Sequence, residues 1–141
     1  MDRRIHKLIT DVAVLSGGAV LLVRYRDVSR YDGQRGWFLP DDLLQHLEHP
    51  TDGAKRVLSE QVGVEGSSPA LDHIESFGNG SWHLTFHHRL DLGELPLLSA
   101  GENVRDAEWF AVDALPEPEE VAHDGWALDV LATMLTSGQR R

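Results

Sequence analysis

Apolar and polar positions alternate from Leu8 to Leu15, and a Ser16-Gly17-Gly18 turn separates that run from a second one, Ala19 to Tyr25. A period of two sends successive side chains to opposite faces, so the pair predicts an antiparallel hairpin. A polar loop, Arg26 to Arg35, leads to Trp37-Phe38-Leu39-Pro40, expected to be a short strand closed by its proline. The period then changes. Ala54, Leu58 and Val62 recur at every fourth position, the apolar stripe of a helix from about Gly53 to Val62 that faces a sheet. Thr51 or Asp52 supplies its N-cap, and Gly63 its stop. Asp72 to Phe77 and Trp82 to Leu92 predict a second hairpin, turned at Asn79-Gly80. In the later strand Trp82, Leu84, Phe86, Leu90 and Leu92 share the face expected to enter the core. His83, Thr85, His87 and Arg89 share the other, expected to be free to meet a ligand. Ala107 to Val112 is a further strand and Asp113 to Pro116 a turn. A closing helix runs from Val121 to Thr136 with Trp126, Val130, Leu131, Met134 and Leu135 inward.

Strands, helix, strands and a final helix suit an α/β fold in which a mixed sheet lies between helices, α/β/α. The 141 residues are expected to form a single domain, with a core at about 5–135 and short charged ends. An apolar fraction of 41% and a charged fraction of 26% fit a soluble globular chain. With 13 Lys and Arg against 23 Asp and Glu, the net charge of −10 argues against nucleic acid as a partner. An acidic protein that binds phosphates generally needs a cation between them. The absence of cysteine removes disulfides, thiolate metal sites and cysteine nucleophiles. Without a signal-peptide pattern or a membrane-length apolar run, a cytoplasmic location is expected.

Asp42 to Val64 carries the most specific pattern in the chain. It closely resembles the box of the Nudix hydrolases, G-x5-E-x7-R-E-U-x-E-E-x-G-U with U a bulky aliphatic. Glu48, Arg56, Leu58, Glu60, Gly63 and Val64 match at the right spacings. Three positions depart: Asp42 replaces the opening glycine, Val57 the glutamate after the arginine, and Gln61 the second of the paired glutamates. Flanking segments in the family order extend the resemblance. These are Gly17-Gly18, Gly36 to Pro40, Ala107 to Phe110 and Asp113 to Pro116.

The resemblance implies a Nudix-type α/β/α sandwich and a pyrophosphohydrolase, metal-dependent through Mg2+ or Mn2+, acting on a nucleoside diphosphate linked to another group. Positions 57, 60 and 61 stand at i, i+3 and i+4 and converge on one helical face. In the family all three are glutamates that hold metal; here one carboxylate remains, which implies weak activity and weakly bound metal. Glu60, Arg56 and Glu48 are the expected catalytic set. Glu60, Glu48 and a late-loop residue, Glu102, are the expected metal ligands, with Asp41 and Asp42 as possible substitutes. His83, His87 and Arg89 are the expected ligand-binding residues. The alternative is a non-catalytic Nudix-fold module that binds a nucleotide-like or sugar-phosphate ligand. The resemblance is compatible with a homodimer.

Overall fold

The computed structural model describes residues 6–78 and 82–139. Six strands and two helices follow the chain as β1 (His6–Ser16), β2 (Ala19–Tyr25), β3 (Asp41–Leu43), α1 (Pro50–Val62), β4 (Ala70–Phe77), β5 (Trp82–Asp91), β6 (Val104–Ala111) and α2 (Ala122–Gln139). The expected turn at Asn79-Gly80 lies outside the described residues.

β1 is the spine of the sheet, and it changes partner along its length. Near the Gly17-Gly18 turn it pairs with β2 at Leu15↔Val20 and Ser16↔Ala19. Upstream, β3 takes the same edge at Ile9↔Leu43, Thr10↔Asp42 and Asp11↔Asp41. The opposite edge runs parallel to β5 from His6↔Trp82 to Leu15↔Asp91, which makes the sheet mixed, in the order β4-β5-β1-β2-β6. Where β2 and β3 part, the chain at 37–40 fills the gap. The strand expected there is not formed, because its hydrogen bonds go to three different elements. Phe38 exchanges two bonds with Val23 (2.8 and 2.9 Å), and Trp37 bonds Glu120 and Ala122 (3.0 Å each). The carbonyl of Pro40 accepts from Val12 N–H (3.1 Å).

Each face of the sheet is covered by one helix. Val12, Val14, Leu21 and Val23 pack with Ala54, Leu58 and Val62 of α1, so the predicted stripe is the buried one. Ala13, Leu15, Val20 and Leu22 pack with Val130, Leu131 and Met134 of α2. α1 begins earlier than expected, with Pro50 in its first turn. His49, rather than Thr51 or Asp52, is its cap: the ring Nδ1 accepts from Thr51 N–H at 3.1 Å. Gly63, at φ 72°, ends the helix as expected. At the start of α2, His123, Asp124 and Gly125 adopt left-handed φ angles of 56°, 54° and 90°. That turn sets Trp126 against His87 of β5 and His123 against Phe38. No helix among the described residues is long and apolar enough to cross a membrane.

The two faces of β5 do not divide as expected. Thr85 and His87, from the polar set, are 0% exposed, while Trp82, from the apolar set, is 49% exposed. β5 lies inside the sheet, and the polar face is the one that α2 covers through Trp126. His87 is tolerated there because both ring nitrogens are bonded.

Candidate functional site

Arg56 organises the start of the box. Its Nε and Nη2 donate to the two oxygens of Glu48 at 2.9 and 3.0 Å, Nη1 donates to Asp42 at 3.2 Å and to Glu60 at 3.1 Å, and Nη2 also reaches the Leu43 carbonyl at 3.0 Å. The two-pronged bond to Arg56 holds the Glu48 carboxyl below its usual range. Both Glu48 oxygens are therefore committed to the loop–helix junction. Asp42 is committed too: Arg30 Nη2 donates to its Oδ1 at 2.6 Å while Arg56 holds Oδ2. Position 42, where the family resemblance expects glycine, is a clasp for two arginines.

The convergent helix positions have separated into different roles. Val57 is fully buried and borders neither cavity described below. Gln61 is 9% exposed and bridges two strands through its amide: Oε1 accepts from Tyr25 OH at 2.8 Å, and Nε2 donates to the Asp41 carbonyl at 2.8 Å. Glu60 faces outward, its side chain 58% exposed. Glu102, on the late loop, borders the same cavity as Glu60. That loop docks on the end of α1 through Ser99 N–H to Val62 O (2.9 Å) and Gly101 N–H to Gln61 O (2.8 Å). Gly101 lies so close to the Glu60 carbonyl that a Cβ has no room. Glu60, Glu102, Asp42, Gln61, Arg30 and Tyr31 border one cavity of about 290 Å³.

A second, narrower pocket of about 70 Å³ opens on the α2 side and shares Arg30, Tyr31 and Asp42 with the first. Its flat walls are Tyr31, Phe38, Phe77 and Trp126. Tyr31 is braced by Tyr25, stacked at 3.8 Å and 4°. Across the mouth Asp32 receives Lys7 Nζ at 2.6 Å and lies 3.1 Å from His123 Nε2. Burial opposes ionisation of Asp32, but Lys7 and His123 outweigh it and hold the carboxyl low. Asp41 is at the floor. Burial, reinforced by Asp11, Asp42 and Asp32, raises its carboxyl well above the usual range.

Of the three residues expected to bind ligand, the structure brings only His83 to this pocket. His87 lies beneath, its Nδ1 2.8 Å from both oxygens of Asp11 and its Nε2 2.8 Å from Glu75. Only the imidazolium donates from both nitrogens. Burial pushes the ring down, but the bonds to Asp11 and Glu75 prevail and its pKa is raised. Arg89 forks onto Asp91 at 2.9 and 3.2 Å and borders neither cavity. Arg30 and Tyr31 were missed. The only signal for them was an arginine beside an aromatic residue in an otherwise polar loop.

The family model for the NUDIX domain matches residues 6–130. The chain belongs to the Nudix family. Solved structures with the same fold include a MutT NUDIX hydrolase from Burkholderia pseudomallei, with TM-score 0.73, 19% identity, and 89% of this chain and 98% of that one covered. An Ap4A hydrolase binary complex from C. elegans aligns with TM-score 0.69 and 11% identity over 93% and 98% of the two chains. A MutT/nudix family protein from Enterococcus faecalis aligns with TM-score 0.66 and 23% identity over 78% of this chain and 45% of that one. No curated protein matches the sequence.

Nudix hydrolases generally use divalent metals, and the donors here can be tested against that need. Magnesium takes oxygen ligands in near-octahedral array. Glu48 and Asp42 spend their oxygens on arginines, Gln61 offers an amide already bonded at both ends, and Val57 offers nothing. Glu60, itself bonded to Arg56, and Glu102 are what remain at the larger cavity. Among the described residues no group of three or more His, Asp or Glu is placed to hold a metal ion. These residues do not fit a preformed Nudix metal cage.

Proposed function

We propose that this Nudix protein binds a nucleotide-like or sugar-phosphate ligand and hydrolyses its diphosphate link only slowly. The ring occupies the aromatic pocket, Arg30 meets the phosphates where the pockets join, and the linked group extends toward Glu60 and Glu102. The ligand in this reading is a small nucleoside diphosphate derivative, not nucleic acid.

One observation carries the reading: the two cavities share Arg30, Tyr31 and Asp42, whereas Asp42, Glu48 and Glu60 are bonded to arginines. Binding groups survive where metal ligands do not. Losing charge-bearing ligands from a hydrolytic metal site costs several kcal/mol of transition-state stabilisation, and each ~1.4 kcal/mol is tenfold in rate. Two such losses reduce turnover by orders of magnitude. The capture of Asp42 and Glu48 by Arg30 and Arg56 equally favours binding with no turnover at all.

The test is a phosphate-release screen with magnesium and manganese over nucleotide sugars, dinucleotides, nucleoside triphosphates and diadenosine polyphosphates, run beside calorimetric binding. The expected result is measurable binding of one class with slow release. Rapid metal-dependent release overturns the slow-turnover reading. Binding without release selects the non-catalytic module, and no binding across the panel removes the nucleotide reading.

A further inference from the structure

α1 covers only part of its face of the sheet. It begins at Pro50, whose carbonyl accepts from Thr10 Oγ1 at 3.1 Å. The part of β1 before Thr10, with its neighbours on β5 and β4, therefore lies beyond the helix. The register sets Leu8 beside Leu84, and Leu84 beside Ser76; Thr10 stands beside Phe86, and Phe86 beside Ile74. Alternation puts Trp82 and Leu71 on the same face, at opposite ends of the patch. Leu8, Leu71, Ile74 and Trp82 are 48%, 49%, 50% and 49% exposed, and Leu84 and Phe86 between them are half-buried. The four exposed side chains alone show on the order of 400 Å², as much as the largest patch of a typical monomer. The indole N–H of Trp82 donates to Ser76 Oγ at 2.7 Å. Its polar corner is thus satisfied within the chain, and what the exposed ring offers is carbon.

We propose that two copies of the chain meet on this face, packed sheet on sheet about a two-fold axis that crosses the strands. Trp82 of each copy then meets the Leu71 end of the other, with Leu84 and Phe86 of both near the centre. Charge selects this occupant. The chain carries a net charge of −10, yet no Asp, Glu, Lys or Arg stands among these residues on this face of β1, β5 and β4. A basic partner finds no carboxylate here and an acidic one no cation, whereas a second copy brings the same uncharged surface and buries no charge. The free edge of β4 is the weaker candidate, because the bulge between Leu71 and His73 blunts strand addition there. Paired faces bury on the order of 1,000 Å² once the half-buried side chains and the rim are included, the low end for a specific interface. The dimer is therefore a reversible one, with a Kd on the order of 10 µM. Lys7, Ile9, Phe77 and His83 place the aromatic pocket on the opposite face, which pairing leaves open.

The test is sedimentation of the full chain from about 1 to about 300 µM, a range that brackets the expected Kd. Wild type is expected to pass from one chain toward two across that range. Association should tighten as salt rises from about 50 to about 500 mM, because salt screens the repulsion between two acidic chains and leaves the apolar contact in place. Ile74→Glu is expected to weaken the dimer at least tenfold. Leu97→Glu adds the same charge at a leucine that is 97% exposed and off this face, and should leave the dimer within about twofold of wild type. A second reading does not depend on the fold of the glutamate variant. Tryptophan emission of wild type should shift to shorter wavelength as the dimer forms, and Trp82→Phe should abolish that shift.

A chain that stays single over the whole range at both salts overturns the proposal. So does a dimer that falls apart as salt rises, since charge pairs would then hold it. Equal weakening by Leu97→Glu, or an emission shift that survives Trp82→Phe, places the contact elsewhere and overturns it too. Phosphatidylcholine vesicles are the remaining arm: uptake of a wild type that stays single, lost in Ile74→Glu, would give this face to lipid and sink the dimer.

Discussion

Gln61→Glu is the change that the family box invites, and the structure says that it destabilises the fold. The amide donates from Nε2 to the Asp41 carbonyl at 2.8 Å and accepts from Tyr25 OH at 2.8 Å. A carboxylate can still accept from Tyr25, but it sets a charged oxygen against the carbonyl oxygen. One buried hydrogen bond is lost and a buried charge gains a repulsive neighbour, together about 2–4 kcal/mol. At this chain length 1 kcal/mol moves the melting temperature by about 2–4 °C, so the drop should be roughly 5–15 °C. The pH dependence follows from linkage. Burial beside a carbonyl raises the folded-state pKa of the introduced acid above its unfolded ~4.3. The protonated acid can donate to Asp41, so the deficit is smallest below that unfolded value and grows as pH rises through the folded one. Thermal melts of wild type and variant at pH 5 and pH 8 measure this. Equal melting temperatures at pH 8, or a larger deficit at pH 5, would refute the argument.

Arg56→Lys should lower the urea midpoint by the equivalent of about 2–3 kcal/mol without changing the slope. A lysine cannot fork onto Glu48 while also holding Asp42, Glu60 and the Leu43 carbonyl. His87 has a raised pKa, so its contribution to stability is complete below about 6.5 and is lost as pH rises through the elevated value. Wild type should thus melt progressively lower above neutral pH, and His87→Gln should show a shallower decline from a lower start. Magnesium titrated calorimetrically into the ligand-free protein should give no tight stoichiometric isotherm; a saturating one would show that Glu60 and Glu102 recruit further ligands.

Much of the scaffold was legible because local rules and tertiary packing agree there. The Gly17-Gly18 turn, the Ala54, Leu58 and Val62 stripe and the Gly63 stop each follow from a short stretch of chain. The late loop that carries Glu102 reaches the end of α1 because Gly101 docks there, which puts Glu102 on the same cavity as Glu60. Other features depend on partners far away in sequence. The 37–40 segment looked like a strand because its composition is strand-like, but Val23, Glu120, Ala122 and Val12 divide its hydrogen bonds. His87 looked available because alternation reveals which residues share a face, not which face a helix will cover. Glu48 and Arg56 stood out as a motif, yet nothing local announced that Arg30 would close on Asp42.

The parallel pairing of β1 with β5 has a kinetic consequence. Asp11 and His87, joined across that seam, are 76 positions apart, so no tight turn can bring the strands together. Loop-closure entropy must be spent before these contacts return anything. During synthesis β1 emerges early and waits, with one edge unpaired, until residue 91 has been made. Refolding should therefore be slow for a chain of this size and prone to association while that edge is open. The aromatic pocket takes Lys7 from one end of the chain and Trp126 from near the other, so it can exist only after the seam has closed and α2 has docked. Trp126 fluorescence during refolding should accordingly change in the last phase.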